Sequence, residues 1–430
     1  MRILCLVHRV PYPPNKGDKI RALWEIQSLA KNHQIDLFCF YDHFEDRQSI
    51  DPLRAYCRSC YVEPLSKWRS YLNALVSLLR KRPFTLGYFH SAEMANAVNS
   101  AVMSRNYDVV LVYSSSMAQY VEKNDRIARV LDMVDVDSEK WAEYAVNSRS
   151  LLRWIWRKEA QRLADYENAV AQRFSRTLLC THAEAEILKK RVTNGRIDVL
   201  QHMVDTEYFD PHAVSVSDEI SALQPYVVFT GSMDYPPNVD AVNWFSSQVL
   251  PTLQVRISEM KFLIVGRNPA KQVLALAANP AIRVTGAVTD VRPYLRGAAV
   301  AVAPMFLARG VQNKILEAMA MGLPVAASSK AVVALPNEIA SRVIVEDDPV
   351  ILAEKLVALI QGGPKPPVVE IQQALATVFG DANLKQKLEE ILKQAIRETN
   401  PQWPEKLSAV ELSGNSSGTD LPKTKKLQPC

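Results

Sequence analysis

The densest chemistry in the chain lies in Ala308-Arg309-Gly310-Val311-Gln312-Asn313-Lys314-Ile315-Leu316-Glu317-Ala318-Met319-Ala320-Met321-Gly322-Leu323-Pro324-Val325. A loop after an apolar strand opens here into a helix whose first turn exposes backbone N–H groups at its positive dipole end, which suits a phosphate. Gly310 lets the backbone approach such a ligand closely. Glu317 lies one to two turns into the helix, where an acceptor-only carboxylate could take both hydroxyls of a ribose. Gly322-Leu323-Pro324 then ends the helix and starts a strand.

Other candidates carry weaker signals. Cys57-Arg58-Ser59-Cys60 has C-x-x-C spacing, but zinc needs four ligands and no second pair or H-x-x-x-H follows, so the six cysteines read as structural thiols. His8, His90, His182 and His202 stand alone in sequence. Only His8, directly after the first apolar run, is kept open as a functional residue.

The elements that must position these residues follow from hydrophobic period. Arg2 to His8 reads as a buried strand, Pro11 to Gly17 as a loop, Lys19 to Asn32 as an amphipathic helix and Ile35 to Tyr41 as the next strand. Runs at Val109 to Tyr113, Arg129 to Met133, Thr177 to Cys180 and Val199 to Gln201 continue the alternation. Near residue 206 it restarts, with strands at Tyr226 to Thr230, Lys261 to Val265, Ile282 to Thr285, Val300 to Ala303 and Pro324 to Ala327. This is the grammar of doubly wound parallel sheets, so the fold class is α/β with two Rossmann-like domains, residues 1–205 and 206–398. Six of the 14 glycines fall between Gly231 and Gly322, mostly just after β-branched runs, and mark that window as a binding region.

Taken together, these residues resemble the donor-binding signature of family 4 glycosyltransferases, two-domain GT-B enzymes that use nucleotide sugars. The resemblance extends through Val228-Phe229-Thr230-Gly231-Ser232-Met233-Asp234-Tyr235-Pro236-Pro237-Asn238-Val239-Asp240, then Ile264-Val265-Gly266, then Val284-Thr285-Gly286-Ala287-Val288-Thr289-Asp290-Val291. Val7-His8-Arg9-Val10-Pro11-Tyr12-Pro13-Pro14-Asn15-Lys16-Gly17-Asp18-Lys19 and Leu131-Asp132-Met133-Val134-Asp135-Val136-Asp137-Ser138-Glu139-Lys140 narrow it to the sugar transferases associated with PEP-CTERM/exosortase exopolysaccharide systems. It covers roughly residues 1 to 395.

The resemblance implies a nucleotide sugar as co-substrate with no further cofactor and no metal, a saccharide or lipid-linked saccharide acceptor held by the N-terminal domain, and retention at the anomeric carbon. Donor-binding positions carried over are Gly17, Gly231, Ser232, Gly286, Gly310, Val311, Asn313 and Glu317. Departures are informative. The first of two family glutamates is replaced by Arg309, and the Arg and Lys that follow the first strand of the C-terminal domain give way to Met233 and Asn238. Arg309 and Lys314 are the candidate replacements, two cations able to stabilise a departing diphosphate. Asp135 stands in the region where many relatives place a histidine near the reacting sugar. Asp135-Val136-Asp137 also spells D-x-D, so sugar contact, a metal and simple helix capping by Asp137 or Ser138 all stay open. A nucleotide-sugar epimerase of the same fold and a catalytically silent nucleotide-binding scaffold are the rival readings.

Composition sets the limits. A chain of 430 residues, 48% hydrophobic and 23% charged, reads as globular. No apolar run reaches the roughly 20 residues of a membrane helix, and no signal-peptide core is read, so a cytoplasmic protein is expected. Net charge is +5, with the excess in the first 200 residues, which points to an anionic partner. Ser66 to Arg82 and Leu151 to Lys158 mix Trp, Tyr and Leu with Lys and Arg, as membrane-surface helices do. The alternative is a helix packed on the sheet with its charges solvated. A peripheral contact with an anionic membrane is the expectation, with no nucleic-acid partner. The helix Asp381 to Glu398 carries one apolar stripe, and the Pro-, Ser- and Lys-rich tail 399–430 is expected to be disordered.

Overall fold

The computed structural model describes residues 1–14, 17–42, 50–121, 126–147, 153–308, 310–363 and 367–403. The chain divides into two compact units, Met1–Leu200 with the described residues 385–403, and Gln201–Leu384.

The first unit is built on a seven-stranded parallel sheet in the order β3-β2-β1-β4-β5-β6-β7. Its strands are β1 (Arg2–Val7), β2 (Gln34–Tyr41), β3 (Ser59–Pro64), β4 (Val109–Tyr113), β5 (Ala128–Val134), β6 (Arg176–Leu179) and β7 (Ile197–Val199). All of β4 and five of the six residues of β1 are buried, as expected of parallel strands covered on both faces, which read as continuous Val/Ile/Leu runs. The helices used below are α1 (Gly17–Ala30), α2 (Lys67–Leu79), α3 (Asp137–Asn147), α4 (Arg153–Arg173) and α5 (His182–Lys189). Strand order reverses between β1 and β4. In such sheets the crevice beyond the carboxyl ends at that point is where ligands bind.

The second unit has a six-stranded parallel sheet, β10-β9-β8-β11-β12-β13. It comprises β8 (Tyr226–Thr230), β9 (Lys261–Val265), β10 (Ile282–Gly286), β11 (Val300–Ala303), β12 (Val325–Ala327) and β13 (Ile344–Val345). The helices α6 (Pro236–Trp244) and α7 (Asn313–Ala320) bear on the site. Here the reversal falls between β8 and β11, so the loops after those two strands, carrying Gly231 and Gly310, flank one crevice.

Every strand expected from the sequence is present, with ends moved by two residues at most. Two were not foreseen. β3 is an edge strand of mixed composition that contains Cys60, and β13 is two residues long, so neither shows a hydrophobic period. The last helix, α8 (Asp381–Thr399), buries Leu384, Leu388, Ile391, Leu392 and Ala395 as its stripe requires. It departs from the expected 206–398 boundary, because from Lys385 on it groups with the first unit. Glu389 lies 3.5 Å from His33 Nε2, and Glu398 accepts from Arg176 at 2.6 Å and Arg196 at 2.8 Å. The expected tail starts too early as well. Trp403 donates its indole N–H to Asp108 at 3.0 Å, which ties residues 400–403 to the first unit; 404–430 lie outside the described residues.

Candidate nucleotide-sugar site

Three glycines stand side by side at the carboxyl edge of the second sheet, because β10, β9 and β8 are neighbours. Gly231 follows β8, Gly266 follows β9 and Gly286 ends β10. The Gly266 N–H donates to the Gly286 carbonyl at 3.2 Å, and the Gly231 N–H to that of Val265 at 3.1 Å. A Cβ at Gly266 would lie 1.6 Å from the Gly231 oxygen, so only glycine admits this approach. Nothing lies within 4 Å of where a Cβ on Gly286 would stand, which leaves open space above the sheet edge. Ser232 bonds Asp234 through its hydroxyl at 2.6 Å and offers its carbonyl to Asn238.

Across the reversal point, Gly310 has φ +66, the left-handed conformation glycine favours, and leads into α7. The Gln312 side chain at the N-cap position makes no capping bond to α7. Val311 packs half-buried against the core, and Asn313 holds a buried side-chain oxygen with no hydrogen-bond partner among the described residues. Lys314 Nζ donates to Asn238 Oδ1 at 2.6 Å, lies 4.0 Å from the Phe229 ring centroid and 3.7 Å from Met305 Sδ. Glu317 sits one turn on, on the same face. Desolvation brings the Lys314 ammonium down to about 7 despite the Glu317 charge, and desolvation brings the Glu317 carboxyl up to about 7 despite Lys314. The structure thus gathers Gly231, Ser232, Gly310, Val311, Asn313, Lys314 and Glu317 around the ends of β8 and β11, with Gly286 two strands away. Arg309 lies outside the described residues.

In the first unit, Gly17 is the opening residue of α1 rather than a loop residue, and no atom of the described residues lies within 4 Å of the position its Cβ would take. His8, past the end of β1, places Nε2 3.3 Å from Asp18 Oδ2 and stacks on Tyr113 at 5.8 Å. Burial works to raise the Asp18 carboxyl, but the His8 hydrogen bond, the His8 and Arg9 charges and the Lys19 amide outweigh it and hold it far below the usual range. Sequence reasoning kept His8 open but had no signal for its pairing with Asp18, since the tight α1 turn brings them together.

Asp135 follows β5 and accepts from the Cys180 thiol at 2.8 Å; burial raises its carboxyl against that bond. The capping reading of Asp137 and Ser138 is corrected. The α3 entry N–H groups are taken instead by Glu184, which accepts from Val136 at 2.8 Å, and Glu167, which accepts from Ser138 at 3.1 Å. No group of three or more His, Cys, Asp or Glu among the described residues has the arrangement of a metal site.

Sequence and fold comparisons agree with this geometry. Residues 224–362 match the family model described as glycosyl transferases group 1. A Klebsiella pneumoniae protein described as an uncharacterized 44.6 kDa protein in the cps region is 19% identical over 370 residues, 83% of this chain and 90% of that one. Anabaena Alr3699/HepE, solved in complex with UDP, is similar at 15% identity with a TM-score of 0.59, covering 91% of this chain and 100% of that one. Sucrose-phosphate synthase from Thermosynechococcus elongatus aligns with a TM-score of 0.61 at 13% identity over 93% and 100%. WaaG, a glycosyltransferase involved in lipopolysaccharide biosynthesis, gives 0.57 at 14% over 93% and 100%. The two parallel-sheet units are those of the GT-B fold, and the family match with these neighbours supports a glycosyltransferase.

Proposed function

We propose that the protein transfers a sugar from a nucleotide-sugar donor to a saccharide or lipid-linked saccharide acceptor, without metal and with retention, in the assembly of a surface polysaccharide. Family 4 membership and a place among the PEP-CTERM-associated exopolysaccharide enzymes rest on the sequence resemblance. The observation that carries the reading is the union, at one reversal point, of the α7 N-terminus, which the Gln312 side chain does not cap, the Lys314 ammonium and the Glu317 carboxylate. The amides around Gly310 and Val311 meet the diphosphate, Lys314 balances its growing charge, and Glu317 takes the ribose hydroxyls. Arg309 is assigned the second cation from its place in the sequence. Solved neighbours bind UDP and UDP-glucose, which makes these the first donors to try.

A peripheral contact with an anionic membrane belongs to the same proposal, on the cytoplasmic side. No helix among the described residues is long and apolar enough to cross a membrane. What supports the contact is α2, which buries only Ser70 and exposes Trp68, Tyr71, Leu72, Leu75 and Leu79. That exposure runs against the reading of a helix packed on the sheet. Exposed Lys67 and Arg69 lie at the start of α2 and exposed Arg80, Lys81 and Arg82 follow its end, and Arg162 of α4 donates to the Leu78 carbonyl at 3.1 Å, joining α2 to the helix that bears exposed Trp154.

The deciding assay incubates the protein with UDP-glucose and related donors, with and without lipid-linked saccharide acceptors. Free nucleoside diphosphate formed only with acceptor supports transfer. Conversion of the donor sugar without acceptor would mean an epimerase, and donor binding with no turnover would mean a silent scaffold.

A further inference from the structure

Lys314 and Asn238 come from different helices, α7 and α6, and meet on the β8 side of the reversal point. Asn238 is 6% exposed and uses both ends of its amide: Nδ2 donates to the Ser232 carbonyl at 2.9 Å, and Oδ1 accepts from Lys314 Nζ at 2.6 Å. The amide is thereby anchored to the glycine loop, and a Cβ on Gly231 would stand 2.7 Å from its nitrogen and 3.3 Å from Lys314 Nζ. The ammonium also lies against the Phe229 ring and the Met305 sulfur, which attract a cation without neutralising it. Among the described residues Lys314 forms no ion pair with a carboxylate. The Glu317 charge only partly offsets its desolvation, so the buried cation stays costly until an anion completes the site.

We infer that Asn238 is the positioning residue for the donor diphosphate. Its amide fixes the Lys314 ammonium beside Gly231, so that the cation meeting the diphosphate is delivered from α7 and not from α6, whose facing position holds a neutral acceptor. The inference rests on the donor-site reading above. The geometry has a specific consequence. The cation and its amide partner are within hydrogen-bonding reach, so exchanging them leaves one ammonium and one amide in the same space.

Calorimetric titration of the full chain with UDP and, separately, inorganic pyrophosphate tests this in wild type, Asn238→Ala, Lys314→Asn and the double exchange Asn238→Lys with Lys314→Asn, each checked for thermal unfolding. Both single variants should bind both probes at least tenfold more weakly, and the double exchange should recover to within about threefold of wild type. A role confined to packing would lower the melting temperature of Asn238→Ala but would not be rescued by exchange. Folded Asn238→Ala with wild-type affinity, or a double exchange no better than Lys314→Asn, overturns the positioning role. Wild-type protein that binds neither UDP, ADP, GDP nor pyrophosphate overturns the donor-site reading itself, and the inference with it.

Discussion

Gly266 and Gly231 touch through their backbones, so closely that a single added methyl at Gly266 would overlap the Gly231 carbonyl oxygen. The contact sets the height of the Gly231 loop at the edge of β8, and hence the position of Ser232, Asn238 and, through them, Lys314. Gly266→Ala should therefore cost about 1–3 kcal/mol, the range for overpacking a filled site, and should weaken UDP binding as well. Gly286→Ala meets no atoms and only strains a left-handed residue, at about 1–2 kcal/mol. Chemical denaturation of both variants, with UDP titration, checks the pair; equal UDP affinity in folded Gly266→Ala would detach this contact from the site.

Glu317→Ala is expected to weaken nucleotide-sugar binding by about 1–3 kcal/mol, the range for losing a charged hydrogen-bond partner. Titration with UDP-glucose measures it. Unchanged affinity in a folded variant removes Glu317 from the site.

The same carboxylate makes a prediction about pH. Its folded value, about 7, is raised above the ordinary 4.5, so its contribution to stability is full below about 4.5 and is lost as pH rises through about 7. Glu317→Gln has no such loss. The stability of Glu317→Gln relative to wild type should rise between pH 5 and pH 7.5 by on the order of 1–3 kcal/mol, read as a rising difference in melting temperature. Lys314, lowered from 10.5 to about 7, acts with the opposite sign, adding stability as pH rises from about 7 to 10.5 in both proteins. Parallel melting curves from pH 5 to 7.5 would show that Glu317 is not desolvated.

For the membrane surface, Arg80, Lys81 and Arg82 replaced together by Gln should reduce sedimentation with vesicles containing anionic lipid. Each basic residue near such a surface contributes on the order of 1 kcal/mol, so three give a large change. Equal sedimentation would assign these charges to solvent.

Truncation separates the two parts of the C-terminus. Removing 400–430 takes away the Trp403 to Asp108 bond and should lower the melting temperature, whereas removing 404–430 should not, given its Pro-, Ser- and Lys-rich composition. Identical melting temperatures for both truncations would make the Trp403 contact energetically empty.

Much of this protein was legible from residue order alone, because buried parallel strands announce themselves as apolar runs and glycines mark the turns that end them. Gly310, Lys314 and Glu317 could be named together because their motif is local, a strand, a loop and one helix turn, whereas Gly231 was named through the family resemblance. The pairing that completes the site could not be named. Asn238 lies 76 positions from Lys314, and their meeting depends on the packing of α6 and α7 across a strand-order reversal that no local period encodes. His8 with Asp18, Glu184 and Glu167 at the start of α3, and the return of α8 to the first unit belong to the same class. Local composition determines which segments are strands and helices. Which polar side chains share a desolvated space is decided only when the sheets are assembled, because that choice is made by long-range burial and by the hydrogen bonds it makes obligatory.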